Sequence, residues 1–316
     1  MKKKPLNILR VLISISALVI LFWQIGLGET VDILRSADVR YLCAAFLIFI
    51  LNLVVRAYRW YVLIHSLDPS VGFVKLLRLY FVGQFFNTFL PTGFGGDFVR
   101  AFELAQDTDS SASIGTVVLD RLSGLLVLFV MGLGALPFRT FDLDPLLVWI
   151  LIVVAGGGLL GGVLILEGSI LRKLTTRLPG KLSLAGEGTL ARIYSAVTGC
   201  GWRAISGAFA VSVLFNVLNV VVNWLCGRAV GIDLSLGYFL AVTPLLSVSL
   251  LIPSIGGWGV REAVSTAVFS PAGVDANVSA ALGVALGGVG LVAGLIGGGL
   301  YLIGTLRRMA RRGDSS

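Results

Sequence analysis

Apolar residues in this chain fall into long runs separated by short polar stretches. Six runs stand out, at residues 6–25, 41–55, 122–138, 145–166, 204–226 and 278–304. A helix needs about 20 apolar residues to cross the roughly 30 Å hydrocarbon core of a bilayer. The runs predict an all-α polytopic membrane protein with about six transmembrane helices, at residues 6–25, 41–66, 112–137, 145–166, 204–228 and 276–305.

Two further apolar segments, 73–105 and 236–269, are interrupted by proline and clustered glycines. Such residues end a helix, and backbone groups freed at membrane depth must be buried in protein or line a wet cavity. We therefore predict two re-entrant helical hairpins, the first entered from the cytoplasmic side and the second from outside. The residues assigned to the two breaks are Pro91, Gly95, Gly96, Pro253, Gly256 and Gly257.

The distribution of positive charge gives the orientation. The chain is 56% hydrophobic and only 13% charged, with a net charge of +8. Lys and Arg in short loops stay in the cytoplasm. With both termini inside, all but five of the 25 Lys and Arg lie on the inner side, including a basic linker at 167–204. A full crossing at 73–105 would put that linker outside. We predict a protein of the cytoplasmic (inner) membrane and no nucleic-acid partner.

The order of elements repeats. Residues 1–138 and 139–316 each read as span, span, hairpin, span, and both breaks contain Pro, Gly-Gly and Val-Arg. Three crossings separate the two hairpins, so the second half is predicted to be inverted. Inverted repeats with broken helices near the midplane are typical of secondary transporters. The alternative is that such motifs recur by chance in a chain with 40 glycines.

Charged residues inside apolar segments are the candidate site. Each costs about 2.5–3.5 kcal/mol to insert, so it faces a cavity or a partner. Arginine suits phosphate because its planar fork donates two parallel hydrogen bonds, whereas the carboxylates would balance these arginines or receive a cationic headgroup. The candidates are Arg56, Arg59, Asp97, Arg100, Asp120, Arg121, Arg261 and Glu262.

Each candidate also has a structural interpretation. Arg56 and Arg59 suit the positive inner end of their helix. Asp120 and Arg121 are neighbours that point about 100° apart on a helix, so they are expected to pair with other segments and would serve equally as structural ion pairs.

Two helices carry a stripe of similar residues along one face. Ser212, Asn216, Asn219 and Asn223 share one helix face. This face either bonds neighbouring helices or lines a polar groove, so Asn219 and Asn223 join the candidate site. The last helix carries Gly283, Gly287, Gly290, Gly294 and Gly298, a spacing typical of close helix packing.

The remaining reactive residues suggest no catalytic or metal chemistry. Cys43, Cys200 and Cys226 are scattered, and His65 is the single histidine. Neither a metal site nor a His-based triad follows from this pattern. We expect no metal, no cofactor and no catalytic residue.

Four motifs in order carry a family resemblance: Arg56-Ala-Tyr-Arg-Trp60, the stretch from Phe86 to Arg100, Val118-Leu-Asp-Arg121, and the stretch from Pro253 to Glu262. They resemble the lysylphosphatidylglycerol synthase transmembrane-region family. This group of flippase-like membrane proteins includes the flippase half of the multiple peptide resistance factor. The resemblance implies movement of a polar-headed lipid between leaflets. The large soluble aminoacyl-transferring domain of the two-part members is absent here, so lysyl transfer is not expected.

Three functions stay open at this point. The first is a translocase for a polar-headed phospholipid, in which Arg100 and Arg261 hold the phosphate and Asp97, Asp120 and Glu262 balance the charge. The second is a polyprenyl-phosphate-dependent glycosyltransferase. The third is a non-transporting membrane subunit of a lipid-modifying complex. The expected partners are the bilayer, a lipid substrate, and either a second copy of the chain or a lipid-biosynthesis enzyme.

Overall fold

The computed structural model describes residues 29–90, 94–137, 143–168, 173, 175, 188–252 and 254–313, with side chains given between 32 and 305. In this part of the chain the fold is entirely helical, with one short 3₁₀ turn at Ser270–Ala272. The helices are α1 (Glu29–Ser36), α2 (Val39–His65), α3 (Phe73–Phe89), α4 (Gly95–Leu104), α5 (Ser110–Ala135), α6 (Pro145–Glu167), α7 (Thr189–Gly199), α8 (Gly201–Ala229), α9 (Leu236–Ser249), α10 (Val260–Phe269) and α11 (Ala276–Gly313).

Five of the described helices are long and apolar enough to cross a bilayer: α2, α5, α6, α8 and α11 up to Thr305. Their bounds agree with the predicted spans to within a few residues. The prediction of an all-α polytopic membrane protein is therefore confirmed. The predicted first span, 6–25, lies outside the described residues, as do Pro91 and Pro253.

Two pairs of short helices flank the predicted breaks. Helix α3 has 17 residues and α4 has 10, whereas α9 has 14 and α10 has 10. At 1.5 Å per residue, none of the four reaches the roughly 30 Å that a span requires. Each pair packs against itself, α3 on α4 and α9 on α10. This is the local structure that a re-entrant hairpin needs.

Glycine makes both breaks possible, in different ways. Gly256, Gly257 and Gly259 have φ angles of 60°, 84° and 78°, a left-handed backbone that other L-residues adopt only with strain. Gly96 lies directly against the carbonyl oxygen of Gly83, so a side chain at this position would separate α3 from α4. The second break therefore needs glycine for its turn and the first for its close packing.

The packing pattern is the same in the two halves. Helices α2 and α8 contact each other at the centre. Around them, α3 of the first half packs on α11, and its counterpart α9 in the second half packs on α5. In the same way, α4 packs on α5, and its counterpart α10 packs on α11. The short amphipathic helices follow the same rule, since α1 contacts α11 and α7 contacts α5. This correspondence supports the predicted repeat, while its inversion across the membrane stays a prediction.

The central helices also share a sequence signal that our reading of the chain missed. Asn52 and Trp60 in α2 have the same spacing as Asn216 and Trp224 in α8. Asn52 Nδ2 donates to the carbonyl oxygen of Phe215 at 2.9 Å. Asn216 Nδ2 donates to the carbonyl oxygen of Gly124 at 3.0 Å. In both helices the asparagine joins neighbouring helices through their backbone.

The glycine stripe on α11 packs as predicted. Gly283 lies against the backbone of Glu262, Gly287 against the Trp258 ring, and Gly294 against Thr88, so both hairpins rest on this helix. Gly297 touches the carbonyl oxygen of Phe81 on α3. Small residues allow such backbones to approach closely.

Opposite the breaks, a polar contact ties two loops together. Asp68 accepts hydrogen bonds from Ser70 Oγ at 2.6 Å and from Thr108 Oγ1 at 2.5 Å. These bonds, that of Ser70 first, lower the pKa of the Asp68 carboxyl. The loop before α3 is thereby fixed to the loop after α4, where the two ends of the first hairpin meet.

Gly297→Ala is expected to destabilise the folded protein. The added methyl group would meet the α3 backbone, and overpacking costs about 1–3 kcal/mol. Gly299→Ala is the matched control on the same helix, because nothing lies near its missing side chain. Thermal unfolding of the purified protein in detergent should show a lower Tm for the first variant alone. Equal Tm values would contradict the packing.

Single cysteines in a cysteine-free background test the predicted orientation. A cysteine at the exposed Asp107 should be shielded from a membrane-impermeant thiol reagent in intact cells, because this loop is predicted to be cytoplasmic. Cysteines at the exposed Asp233 and Asp275 should react. Labelling at 107 together with protection at 233 and 275 would reverse the orientation.

Candidate functional site

A cavity of about 230 Å³ lies between the two broken helix pairs, with α2, α5, α8 and α11 completing its wall. Eight of the ten candidate side chains line it, together with two of the glycines assigned to the second break. They are Arg56, Arg59, Asp97, Arg100, Asp120, Arg121, Asn219, Arg261, Gly256 and Gly257. Membrane insertion cost alone therefore found the seven charged residues of the described wall.

Two candidates do not line this cavity. Asn223 is buried and its Nδ2 donates to the Asn219 carbonyl oxygen at 2.8 Å, within α8. Glu262 sits where α10 packs on Gly283 of α11. Gly95 and Gly96 also lie outside the cavity wall and serve the packing of the first break.

Asp120 on α5 is the centre of a buried ionic network. Arg59 of α2 donates through Nε to Asp120 Oδ1 at 2.7 Å. Tyr80 of α3 donates its hydroxyl to Oδ2 of the same carboxylate, and Arg100 of α4 approaches that oxygen at 3.5 Å. One carboxylate thus joins four helices.

Asp97 forms the second half of the network. Its Oδ1 accepts from Arg100 Nη2 at 2.6 Å, and its Oδ2 pairs with Arg121. Asp120 and Arg121 therefore pair with other segments, as expected from their adjacent positions on a helix. Every oxygen of the two carboxylates already has a partner within the protein.

Packing fixes the arginines of this network. Arg59 and Arg100 are each only 2% exposed. The guanidinium of Arg100 lies 3.9 Å from the Tyr80 ring centre and 4.9 Å from that of Trp60. Arg59 lies against Gly124, where any side chain would displace it. Buried charges persist only with such complete pairing.

The two arginines predicted to hold a phosphate have different environments. Arg100 is the sixth residue of α4, one turn past the break, where Asp97 and Asp120 neutralise it. Arg261 is the second residue of α10, immediately after the break. The Val-Arg pairs that look equivalent in sequence are thus offset in the fold. Arg100 belongs to the ionic network, and Arg261 does not.

Arg56 and Arg261 carry the unsatisfied charge. The Nε atom of each is buried and has no hydrogen-bond partner in the described structure. No described carboxylate lies within 4 Å of either guanidinium. Arg56 instead lies between the rings of Tyr80 and Phe215, at 5.3 and 5.5 Å. Arg261 folds back over Gly257 towards Gly290 of α11.

The charge of the wall is therefore unbalanced. Five arginines and two aspartates are the charged residues among the described lining, which leaves a surplus of three positive charges. The break glycine Gly257 lines the cavity just before α10 begins, so the positive end of that helix dipole lies at the wall as well. Such a site attracts an anion.

Neutral polar groups complete the wall, and our sequence reading missed them. Asn87 and Thr88 follow Gln84 by three and four residues on α3, so the three side chains share one face of this helix. That periodicity was the available signal. Ser247 and Ser254 flank the second break on the other side of the cavity. Asn219 Nδ2 reaches Ser247 Oγ at 3.5 Å.

Asp120→Asn is expected to destabilise the protein strongly. The change leaves Arg59 and Arg100 buried beside a neutral group, and breaking a buried ion pair costs about 3–5 kcal/mol. Asp107→Asn is the control, because its pair with Lys75 is exposed and such pairs contribute about 0–1 kcal/mol. Unfolding of both variants should be followed in the same detergent. Similar stability losses would mean that the network does not hold the helices together.

Comparisons with known proteins identify relatives over nearly the whole chain. A UPF0104 membrane protein of Methanothermobacter thermautotrophicus is 26% identical, and the match covers 86% of this chain and 87% of that protein. One of Methanocaldococcus jannaschii is 24% identical with the same coverage. One of Pyrococcus horikoshii is 27% identical, but the match spans only 39% of this chain and 38% of that protein.

Residues 7–298 match the family described as the lysylphosphatidylglycerol synthase TM region, and this range includes every described residue of the cavity wall. The resemblance inferred from the four motifs is thereby confirmed. This polytopic membrane protein belongs to the lysylphosphatidylglycerol synthase transmembrane-region family.

Proposed function

We propose that this protein is a lipid translocase that moves a lipid with a phosphate-bearing polar headgroup between the leaflets of the cytoplasmic membrane. The observation that carries the proposal is the surplus of arginine over carboxylate in a cavity between two broken helix pairs. Uncompensated charge in a membrane protein is costly. An anionic headgroup that enters the cavity would offset that cost.

The arginines divide into two groups. Arg59, Arg100 and Arg121, with Asp97 and Asp120, form a framework that shapes the cavity. Arg56 and Arg261 bind the phosphate, because their Nε donors are buried without a partner. This assignment replaces Arg100 with Arg56 as the partner of Arg261 and gives Arg100 a positioning role.

The same geometry favours a translocase over a glycosyltransferase. General-base catalysis needs a carboxylate that can accept a proton from the substrate. Both carboxylates that line the cavity are occupied by arginines and Tyr80, and Glu262 lies outside its wall. The described cavity offers binding groups and no free base.

The fold suits an alternating or sliding movement of the headgroup. Both helix breaks adjoin the cavity, and the carbonyl oxygen of Thr88, at the end of α3, contacts Gly256 of the second break. In transporters built from inverted repeats, such breaks meet near the midplane and form the substrate site. The acyl or isoprenoid tails would stay in the bilayer while the headgroup crosses through the cavity. Candidate partners are a second copy of the chain and an enzyme of lipid biosynthesis.

Arg56→Gln and Arg261→Gln are each expected to slow lipid movement about tenfold or more. A hydrogen bond to a charged group contributes about 1.5–3 kcal/mol, and both variants remove one without placing a charge in an apolar site. Purified protein in liposomes with a fluorescent phospholipid, read out by quenching from one side, measures this directly. Arg203→Gln is the control, because Arg203 is exposed and lies outside the cavity wall.

The outcomes separate the three functions. Lipid movement by the wild type, lost in the two variants and kept in the control, supports the translocase. Normal movement by both variants removes Arg56 and Arg261 from the binding site. Absence of movement by folded wild-type protein favours a non-transporting subunit. Release of a sugar from a polyprenyl-phosphate donor would favour the glycosyltransferase.

A further inference from the structure

We infer that the headgroup carries more than one negative charge and no cationic group, as in a lipid phosphomonoester or diphosphate. This inference rests on the proposed lipid substrate and specifies its chemical class. It separates this chain from any carrier of a zwitterionic or aminoacylated phospholipid.

The charged residues of the cavity wall leave a surplus of positive charge. Among the described lining residues, five arginines face two aspartates, and no described carboxylate is close enough to pair with Arg56 or Arg261. A phosphodiester such as phosphatidylglycerol carries a single negative charge and would leave two arginine charges uncompensated. A phosphomonoester carries about −1.5 to −2 at pH 7. A diphosphate carries more and comes closer to neutralising the whole surplus.

The carboxylates exclude the opposite class of headgroup. A lysyl or ethanolamine group would need an acidic oxygen to receive its ammonium. The oxygens of Asp97 bond Arg100 and Arg121, and those of Asp120 bond Arg59, Tyr80 and Arg100. An ammonium at either carboxylate would have to share its acceptor with a buried arginine and would meet that arginine's positive charge. Both aspartates are therefore part of the framework and unsuited to a cationic ligand.

The orientation of Arg56 favours a phosphate with several free oxygens. Aromatic rings lie next to its guanidinium, and its buried Nε has no hydrogen-bond partner in the described structure, so this donor is available to a ligand. Arg261 approaches from the other half of the fold. A monoester has three terminal oxygens and a diester has two. The additional oxygen allows one phosphate to accept from both arginines and from the neutral donors of α3.

The cavity has about 230 Å³, less than the roughly 300–1,000 Å³ of sites for drug-sized ligands. A phosphate or diphosphate fits this space. Any larger part of a headgroup would extend beyond the cavity, so the arginines recognise the phosphate itself.

Ligand-dependent thermal stabilisation of the detergent-purified protein tests this inference without any transport step. Dioleoyl lipids that differ only in the headgroup would be compared: phosphatidate, phosphatidylglycerol, phosphatidylcholine and lysylphosphatidylglycerol. Farnesyl phosphate and farnesyl diphosphate form an isoprenoid series. Inorganic phosphate and pyrophosphate show whether the ligand must be a lipid.

We expect phosphatidate and the farnesyl phosphates to bind at least tenfold more tightly than phosphatidylglycerol. Phosphatidylcholine and lysylphosphatidylglycerol should give no shift in Tm. Arg56→Gln and Arg261→Gln should each reduce the preference for phosphatidate over phosphatidylglycerol, while Arg203→Gln keeps it. If a variant fails to fold, the comparison of these lipids on the wild-type protein still tests the inference.

Other results would overturn the inference. Equal affinity for phosphatidate and phosphatidylglycerol, or tighter binding of lysylphosphatidylglycerol, contradicts the charge argument. Inorganic phosphate or pyrophosphate that binds as tightly as the lipids contradicts a lipid ligand. The proposed function fails separately: liposomes that bind phosphatidate but do not move it refute the translocase and leave the headgroup assignment intact. Liposomes in which phosphatidylglycerol moves as fast as phosphatidate would refute the headgroup assignment and leave the translocase intact.

Discussion

The interaction on which the cavity depends is the shared carboxylate of Asp120. It is 1% exposed and receives Arg59 of α2, Tyr80 of α3 and Arg100 of α4, so four helices meet at one negative charge. Removing Asp120 leaves the buried Arg59 without its carboxylate, and an unpaired buried charge costs far more than the intact network gains. The network therefore specifies one arrangement of the helices even where its net contribution to stability is modest. The space left beside that arrangement is the cavity, and the arginines that the network does not neutralise give it its charge.

The fold was largely predictable because membrane physics acts on each segment separately. Length and polarity decide whether a segment can span the hydrocarbon core. Backbone groups freed by a break at that depth must be buried in protein or line a wet cavity. The predicted span 41–66 and the observed Val39–His65 differ only at their ends. The predicted hairpins 73–105 and 236–269 match two pairs of short helices. The short helix Thr189–Gly199 within the linker was not predicted, since its few apolar residues gain stability only by packing on α5.

The site was predictable as a set of residues but not as a set of roles. The insertion cost of a charge identifies side chains that need a partner or a cavity, and most of these do line the cavity. The insertion cost does not distinguish a side chain that pairs with another residue from one that lines a cavity, because this depends on which helices meet. Arg100 and Arg261 look alike in sequence, each following Val near a Gly-Gly pair. A shift of four positions within their helices places one between two aspartates and leaves the other with no described carboxylate within 4 Å.

The two halves of the fold share their packing but not their electrostatics. Arg59 follows Asn52 by seven residues, and Asn223 follows Asn216 by seven residues, so the second half has an asparagine where the first has Arg59. Where α4 has Arg100 at its sixth position, α10 has Ser265, whose buried hydroxyl has no partner in the described structure. The first hairpin is thus held by ion pairs, which have narrow geometric tolerance. The second rests on α11 through Gly283 and Gly287, a surface of small residues. Displacing it by a small distance breaks no described ion pair. If the protein alternates between two states, the second hairpin is the element that moves at lower cost, and it carries Arg261 with it.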